Sequence, residues 1–210
     1  MSVNVKICGI TRVDDALAAA DAGADMIGLN FWPGTPRCVP VEHAREIADA
    51  VRGRVEIVAL FVDAPRDEIL RTTETLRTRT VQLHGAETAE FAASLGGLRV
   101  IKAFRIGSES NLERLGDFPA FAYLLDARVE GMHGGTGRTI DWELARKAAR
   151  HGRILLAGGL NPENVAEAVR AAQPWGVDTA SGVEQCPGVK DRLKVELFVR
   201  NAKSCEVEGR

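Results

Sequence analysis

The chain of 210 residues is 45% hydrophobic and 27% charged, with a formal net charge of −2 at pH 7. These values are typical of an ordinary globular protein and allow one domain with a substantial core. The sequence has no long basic run, which argues against a nucleic-acid partner. Its apolar runs are too short to cross a bilayer and its first residues lack the pattern of a signal peptide, so we expect no membrane partner and a cytoplasmic location.

Short β-rich segments alternate along the chain with amphipathic segments rich in Ala, Arg and Glu. We predict strands near residues 3–8, 26–30, 56–62, 80–84, 99–104, 121–126, 153–157 and 175–179. We predict helices near residues 12–22, 41–52, 65–77, 87–95, 109–115, 142–150, 162–171 and 191–204. This succession of strand–helix units predicts an α/β fold, a single-domain (β/α)8 TIM barrel over residues 1–210.

An open, doubly wound sheet also alternates strands and helices and is the alternative fold. Its dinucleotide-binding members carry a glycine-rich fingerprint after the first strand, and the segment CGITRVDD at residues 8–15 lacks that fingerprint. The number of units and the polar inward faces therefore favour the closed barrel.

The first strand carries the first candidate for chemistry. In VNVKICGIT, residues 3–11, apolar side chains alternate with Lys6 and Cys8, so the polar face of the strand ends in a thiol. The charge of Lys6 on the same face would favour the thiolate form of Cys8. Cys8 is a candidate base or nucleophile, and a buried cysteine that only fills space is the equal alternative. We also expect Thr11 to cap a helix that begins near Arg12.

Alternation along three later strands separates the side chains that face the barrel axis from those that face the helices. The residues predicted to face the axis are Thr80, Gln82, His84, Ala122, Leu124, Asp126, Gly176, Asp178 and Ala180. The residues predicted to pack under helices are Val81, Leu83, Phe121, Tyr123, Leu125, Trp175, Val177 and Thr179. Polar groups that meet at the carboxyl ends of several barrel strands are typical of an active site.

Asp126 follows four largely apolar residues, and a carboxylate in such a position needs either a partner or a function. As a structural group it could pair with Lys6 or Lys102. As a functional group it could be a general acid, facing the thiol of Cys8 across the barrel mouth. That arrangement suits two proton transfers at different positions of one small substrate.

Two glycine-containing turns follow the seventh and eighth predicted strands. Gly158–Gly159 lies in LLAGGLNPENV, ahead of a helix predicted to start near Pro162, and Ser181–Gly182 lies in DTASGVEQCPGVKD. Glycine exposes backbone N–H groups, and the loops after strands seven and eight of a TIM barrel commonly bind phosphate. Each pair alone could be only a tight turn, but two on adjacent strands favour phosphate binding.

A long loop after the second strand, NFWPGTPRCV at residues 30–39, carries Arg37 between prolines that stiffen it. A guanidinium group held there could bind a carboxylate in a two-point contact, and a solvated surface arginine is the alternative. A second long segment, ARVEGMHGGTGRTI at residues 127–140, lacks the P-loop pattern and is read either as a mobile lid or as plain surface.

A metal site would need His84, Asp126 and Asp178 to converge, and no H-x-H or H-E-x-x-H spacing supports it. We therefore expect no metal. The other histidines are expected to be solvated: His43, His133 and His151. The four cysteines show neither C-x-x-C spacing nor a disulfide framework, so we expect reduced thiols.

Several segments, in order from residue 5 to residue 191, resemble phosphoribosylanthranilate isomerase of tryptophan biosynthesis. They are VKICGIT, GLNFWPGTPRCV, VQLHG, LLDA followed by GGTGRTIDW, LAGGLNPENV, GVDTASGVE and PGVKD. The resemblance implies an aldose–ketose isomerase that needs no metal or organic cofactor. Its reaction is the Amadori rearrangement of N-(5-phosphoribosyl)anthranilate to 1-(2-carboxyphenylamino)-1-deoxyribulose 5-phosphate, the third step from chorismate to L-tryptophan.

Matching the family's motifs implies a role for each candidate residue. Cys8 would be the general base, Asp126 the general acid, and Arg37 the ligand of the anthranilate carboxylate. The phosphate-binding turns would be Gly158–Gly159 and Ser181–Gly182. Further substrate-binding residues, at the same mouth, would be Asp178, Gln82 and His84.

Alternative functions are a metal-dependent pentose-phosphate epimerase, which a chelator would inactivate, and a non-catalytic phosphosugar-binding protein, which the presence of both Cys8 and Asp126 disfavours. A relaxed isomerase that also serves histidine biosynthesis would carry two aspartates at the strand ends, whereas the first strand here ends in cysteine. Cys38 replaces a tyrosine common in the family, and we assign it no catalytic role. The expected partner is the small-molecule substrate, and we expect a monomer, with a homodimer as the alternative.

Overall fold

Eight parallel strands close into a barrel in which each strand pairs with the next along the chain and β1 pairs with β8. The computed structural model describes residues 2–106, 108–109, 112–126 and 142–207. The barrel strands are β1 (Asn4–Cys8), β2 (Met26–Asn30), β3 (Glu56–Phe61), β4 (Thr80–Leu83), β5 (Arg99–Arg105), β6 (Ala122–Asp126), β7 (Ile154–Leu156) and β8 (Gly176–Thr179). The predicted TIM barrel is confirmed.

Helices follow the strands and form the outer layer. They are α1 (Val13–Asp21), α2 (Val41–Ala50), α3 (Arg66–Leu76), α4 (Ala89–Ser94), α5 (Glu113–Gly116), α6 (Trp142–Ala148), α7 (Val165–Ala172) and α8 (Arg192–Lys203). Among the described residues, no helix combines the length and the apolar character needed to cross a membrane. The segment 127–140, predicted as a lid or plain surface, lies outside the described residues, as does His133.

Alternation along the strands produces two separate apolar layers. The larger lies between strands and helices and includes Tyr123 and Leu125, whereas the smaller fills the barrel interior and includes Ala122 and Leu124. Full burial of such a side chain contributes about 1.5–3 kcal/mol. The inner layer is small because the upper part of the barrel interior is occupied by polar groups.

Phe121 and Trp175 differ from the prediction that they pack under helices. Each lies one residue before its strand begins, and both pack against the inner layer. Their rings meet edge to face, with centroids 5.8 Å apart. Strand alternation does not yet apply at these positions, and two large apolar rings are more completely buried over the open amino-terminal end of the barrel.

Thr11 does not cap α1 as predicted. The helix begins at Val13 after Arg12, which makes no side-chain cap, while the Thr11 hydroxyl donates to the carbonyl of Gly188. That carbonyl belongs to a connection that the sequence pattern did not predict. After β8 comes a one-turn 3-10 helix (Ser181–Val183) and then a small antiparallel hairpin, β9 (Glu184–Cys186) and β10 (Val189–Lys190).

The helix after β7 begins later than predicted, at Val165 instead of near Pro162. The side chain of Asn161 accepts hydrogen bonds from the backbone N–H groups of Glu163 and Asn164, each at 3.0 Å. Such side-chain bonds hold the backbone in a turn and compete with the first helical turn. The connection after β7 is therefore a tied loop.

Candidate active site

The carboxyl ends of the strands surround a cavity of about 600 Å³. Every site residue predicted from the sequence lines it: Cys8, Arg37, Gln82, His84, Asp126, Gly158, Gly159, Asp178, Ser181 and Gly182. These residues are up to 174 positions apart, and the barrel brings them together because all lie at or just after the same end of their strands. The position of each group in the fold is thus known, while its role in the reaction remains a prediction.

Cys8 ends β1 beside a buried ion pair. Lys6, on the same face of β1, is fully buried and donates to Oδ1 of Asp178 on β8 at 2.8 Å. A Cβ atom on Gly28 of β2 would lie 2.8 Å from the Cys8 sulfur and 3.1 Å from the Lys6 ammonium. The absence of a side chain at Gly28 therefore leaves room for the thiol and the ammonium to lie on the same side of the strand.

The charge of Lys6 is maintained despite its burial. Burial alone lowers the pKa of Lys6. The negative charges of Asp178 and then of Cys8 raise it by more than burial lowers it, so the pKa lies above its ordinary value. Lys6 therefore keeps its proton at neutral pH. A permanent positive charge beside a thiol favours the thiolate, which is the form of cysteine able to remove a proton.

Lys6 and Lys102 are the predicted structural partners of Asp126, and both lysines pair with other carboxylates. Lys6 bonds Asp178, as above, and Lys102 donates to Oε2 of Glu87 at 2.8 Å. Lys102 also donates to the carbonyl of Gly85 at 2.7 Å, which ties the loop after β4 to β5. Asp126 ends β6 half-buried at the cavity wall.

Arg37 makes a two-point ion pair that the sequence analysis did not predict. Its Nε and Nη2 donate to Oε1 and Oε2 of Glu184, at 2.8 and 2.6 Å. The Arg37 side chain is only 22% exposed, so the alternative of a freely solvated surface arginine is wrong. Lys190 donates to the same carboxylate at 2.9 Å. Glu184 lies two residues after the predicted phosphate turn, and an acidic residue so near a proposed anion site was the signal that could have revealed it.

Burial and pairing act against each other in this cluster of Arg37, Glu184 and Lys190. Burial raises the pKa of Glu184, but the hydrogen bonds from Arg37 and Lys190 outweigh it and hold that pKa below its usual range. Burial dominates at Lys190 and lowers its pKa, whereas the bond to Glu184 raises that of Arg37. Attraction to Cys8 is a smaller cause that acts to raise the pKa values of Arg37 and Lys190, so both cations lie near the thiol, as Lys6 does.

The two glycine turns lie side by side. Gly158 and Gly159 have φ angles of +82° and +74°, a backbone conformation that residues with side chains disfavour. The hydroxyl of Thr179 at the end of β8 donates to the carbonyl of Leu160 at 2.7 Å. This bond fixes the turn after β7 against the Ser181–Gly182 turn, so both face the same part of the cavity.

Gln82 and His84 form a hydrogen-bonded pair at the end of β4. Nε2 of Gln82 donates to Nδ1 of His84 at 2.9 Å, which places the imidazole proton on Nε2. Burial lowers the pKa of His84, and the charge of Asp126 only partly opposes it, so the pKa lies below the ordinary 6.5. His84 is therefore a neutral hydrogen-bond donor at neutral pH.

The depressed pKa of His84 predicts a pH-dependent stability. In the unfolded chain His84 gains its proton near pH 6.5, whereas in the folded chain it does so at lower pH. The unfolded state holds more protons in that window, so the free energy of unfolding falls as the pH falls through it. Urea titrations between about pH 7.5 and about pH 5 should show a steeper loss for the wild type than for His84→Gln. Parallel curves for the two proteins would contradict the assigned shift.

His84, Asp126 and Asp178 line one cavity, the arrangement that a metal site would need. Across residues 2–106, 108–109, 112–126 and 142–207, however, no group of three or more His, Cys, Asp or Glu side chains is arranged to hold a metal ion. The polar groups at the mouth are instead paired across strands, as Lys6 is with Asp178.

A closed parallel barrel with its ionisable groups gathered at the carboxyl ends of the strands places the protein among the TIM-barrel enzymes. The family model for N-(5'-phosphoribosyl)anthranilate isomerase matches residues 5–201. The chain belongs to this family, and it is an isomerase of tryptophan biosynthesis.

Individual relatives agree with the family match. The N-(5'-phosphoribosyl)anthranilate isomerase of Geobacter sp. (strain M21) is 49% identical over 199 residues, which cover 95% of this chain and 97% of that protein. A crystal structure of the isomerase with reduced 1-(o-carboxyphenylamino)-1-deoxyribulose 5-phosphate has a TM-score of 0.87 and 36% identity, covering 97% of this chain and all of that one. Monomers of the dimeric Thermotoga maritima isomerase give a TM-score of 0.86 and 37% identity, with 97% of this chain and 100% of that chain covered.

Proposed function

We propose that this isomerase rearranges N-(5-phosphoribosyl)anthranilate with Asp126 as general acid and Cys8 as general base. The observation that carries the proposal is that β1 and β6 end in these two groups at the wall of one cavity. A thiol and a carboxyl group there can act on different atoms of a substrate bound between them. The same cavity is lined by an arginine and by two glycine turns, which suit the two anionic ends of the substrate.

Asp126 starts the reaction by donating a proton to the furanose ring oxygen. The bond between that oxygen and C1 breaks, the nitrogen lone pair forms a C=N bond, and the ring opens to a protonated Schiff base. Cys8, as thiolate, then removes the proton from C2, which the adjacent iminium has made acidic. The enolamine that results tautomerises to the ketone. In the tautomerisation C1 gains a proton and the C2 hydroxyl group loses one, so the protons given to the substrate and taken from it are equal in number. No step needs an external electron donor or acceptor, so the reaction needs no redox cofactor.

Lys6, Arg37 and Lys190 support the role of Cys8. Attraction to Cys8 is one of the causes that act to raise the pKa of each of these groups, although burial outweighs it at Lys190. Cations near the sulfur attract the negative charge that the proposed base carries. The role assigned to Cys8 as base, rather than as an inert buried residue, rests on this electrostatic setting.

Substrate is held at both ends so that C1 and C2 lie between acid and base. The turns Gly158–Gly159 and Ser181–Gly182 bind the phosphate through backbone N–H groups, and Arg37 binds the anthranilate carboxylate. Asp178 and the Gln82–His84 pair supply hydrogen bonds to the sugar hydroxyls. Fixing both ends lowers the entropy lost in reaching the reactive geometry.

The test is turnover of freshly generated phosphoribosylanthranilate, followed by the loss of its fluorescence with and without a chelator. We expect the substrate to be consumed at the same rate in both samples. Inhibition by the chelator would favour a metal-dependent sugar-phosphate enzyme. Failure to consume the substrate, with binding retained, would favour a phosphosugar-binding protein.

We further propose that the chain acts as a monomer, although the Thermotoga maritima relative is dimeric. Among the described residues, the large apolar side chains that are exposed are Trp32 and Leu193, at 42% and 63%. Trp32 lines the cavity and Leu193 lies on α8, so they form no apolar patch of the size that stable dimers bury. A cytoplasmic location is also proposed, supported by four free cysteines, a pattern typical of a reducing compartment.

A further inference from the structure

Glu184 is buried behind the cavity wall and contacts the one arginine assigned to the substrate's carboxylate. Its side chain is 4% exposed, and it is not among the described residues that line the cavity. We propose that Glu184 is a positioning residue: it holds Arg37 in the orientation that recognises a carboxylate on the aromatic ring. This inference rests on the proposed role of Arg37 and extends it to a residue that does not touch the substrate.

The geometry of the Arg37 side chain leaves one edge open. A guanidinium group has five N–H donors in a plane, arranged along two edges that can each bind a carboxylate. Glu184 occupies the edge formed by Nε and Nη2, at 2.8 and 2.6 Å. The other edge, formed by Nη1 and the second hydrogen of Nη2, points away from Glu184. Since Arg37 lines the cavity, this free edge is the one available to a ligand.

Contacts on two further sides hold the Arg37 side chain. Its aliphatic stem lies so close to Gly9 that a methyl group on Gly9 would overlap the Arg37 Cδ. The backbone N–H of Arg37 is bonded to the hydroxyl of Thr35 at 3.3 Å. Glu184 fixes the guanidinium, the Gly9 contact limits the stem and the Thr35 bond fixes the backbone, so few rotamers remain to be lost when a ligand binds.

Glu184 is itself held firmly. Its Oε1 accepts from Lys190 at 2.9 Å and from the backbone N–H of Gly188 at 3.3 Å. Its carbonyl accepts from Lys194 on α8 at 3.1 Å. The carbonyl of Gly188 is in turn bonded by the Thr11 hydroxyl. The β9–β10 hairpin therefore fixes the carboxylate against the first and last parts of the barrel.

The charges around Glu184 are consistent with orienting Arg37 without neutralising it. A carboxylate paired with Arg37 alone would cancel its charge and compete with the substrate. Glu184 is shared with Lys190, so the cluster of the two cations and one anion keeps a net positive charge. The arginine is thus oriented without loss of the attraction that an incoming carboxylate needs.

A pair of ligands tests this role directly. The first is reduced 1-(o-carboxyphenylamino)-1-deoxyribulose 5-phosphate, and the second is the same compound without the ring carboxylate. Calorimetric titration gives the dissociation constant of the second ligand divided by that of the first. We compare this ratio for the wild type, Glu184→Gln and Arg37→Ala. Arg192→Gln is the matched control, because it removes an exposed cation of α8 that pairs with Glu196 and leaves the cluster of Arg37, Glu184 and Lys190 in place.

We expect Glu184→Gln to reduce the wild-type ratio about tenfold, as loss of one charge-assisted interaction does. The affinity for the ligand without the carboxylate should change by less than about twofold, because the contacts to the rest of the ligand are kept. The KM for substrate should rise in parallel while kcat changes little. Arg192→Gln should keep the wild-type ratio.

Two outcomes would overturn the inference and can be told apart. If Arg37→Ala lowers the ratio while Glu184→Gln keeps or increases it, Glu184 does not position Arg37. The proposed role of Arg37 is then retained. If the wild type binds both ligands equally, Arg37 does not read the carboxylate and the proposed function is wrong at that point as well. Glu184→Asp is a second variant in case Glu184→Gln fails to fold. It keeps the negative charge beside Lys190, but its side chain is too short for both hydrogen bonds to Arg37, so it should also lower the ratio.

Discussion

Replacement of Cys8 by alanine is expected to lower kcat by about 10²–10⁴-fold, the usual contribution of a general base. The thiolate is the group proposed to remove the C2 proton, and water in the space left by the sulfur is a far weaker base. Cys8 is 7% exposed and ends β1, so the small change should leave the barrel intact. Stopped assays of phosphoribosylanthranilate loss would measure kcat. Calorimetric binding of the reduced product would show whether the barrel is intact.

Controls distinguish the base from a cysteine that only fills space. Cys8→Ser restores most of the volume but offers a hydroxyl that ionises far less readily than a thiol, so it should remain nearly as inactive as alanine. Cys186→Ala removes an exposed thiol from the hairpin and should keep wild-type turnover. Recovery of activity in Cys8→Ser would show that the residue acts through packing.

Asp126→Asn is expected to lower kcat by a similar factor, about 10²–10⁴, because the amide has almost the same shape but cannot donate the ring-opening proton. Binding of the reduced product should persist, since that ligand is already open. The matched control is Asp117→Asn, which should leave turnover unchanged. Asp117 is an exposed carboxylate in the segment that precedes the amino-terminal end of β6.

An isotope effect separates the two roles. With deuterium at C2 of the ribosyl group, removal of the C2 proton should limit the rate in Cys8→Ser and give a large isotope effect. In Asp126→Asn ring opening should limit the rate, and the effect should shrink toward one. The reverse pattern would mean that the acid and the base have been assigned to the wrong residues.

Strand alternation explains why so much of the site could be predicted. A period of two assigns every second side chain to the barrel axis, and the last such residue on β1 and β6 is Cys8 and Asp126. The closed barrel then brings the carboxyl ends of all strands to one mouth. Local sequence was enough here because both rules depend only on neighbouring residues and strand order.

Partners across the barrel could not be predicted in the same way. Alternation says that Lys6 faces inward, but it does not say which carboxylate lies opposite. The register of β1 with β8 sets Lys6 directly against Asp178, 172 positions later, and that register depends on how the whole barrel closes. The pairing of Arg37 with Glu184 needs in addition a hairpin whose turn chemistry is weak in the sequence.

The Lys6–Asp178 pair lies where the first strand meets the last, and this has a consequence for biosynthesis of the enzyme. A growing polypeptide carries the ammonium of Lys6 long before its carboxylate partner has been translated, and burying an unpaired charge is strongly unfavourable. We therefore expect the amino-terminal strand to be buried only when the final strand docks. A chain truncated before the eighth strand is therefore expected to show no turnover.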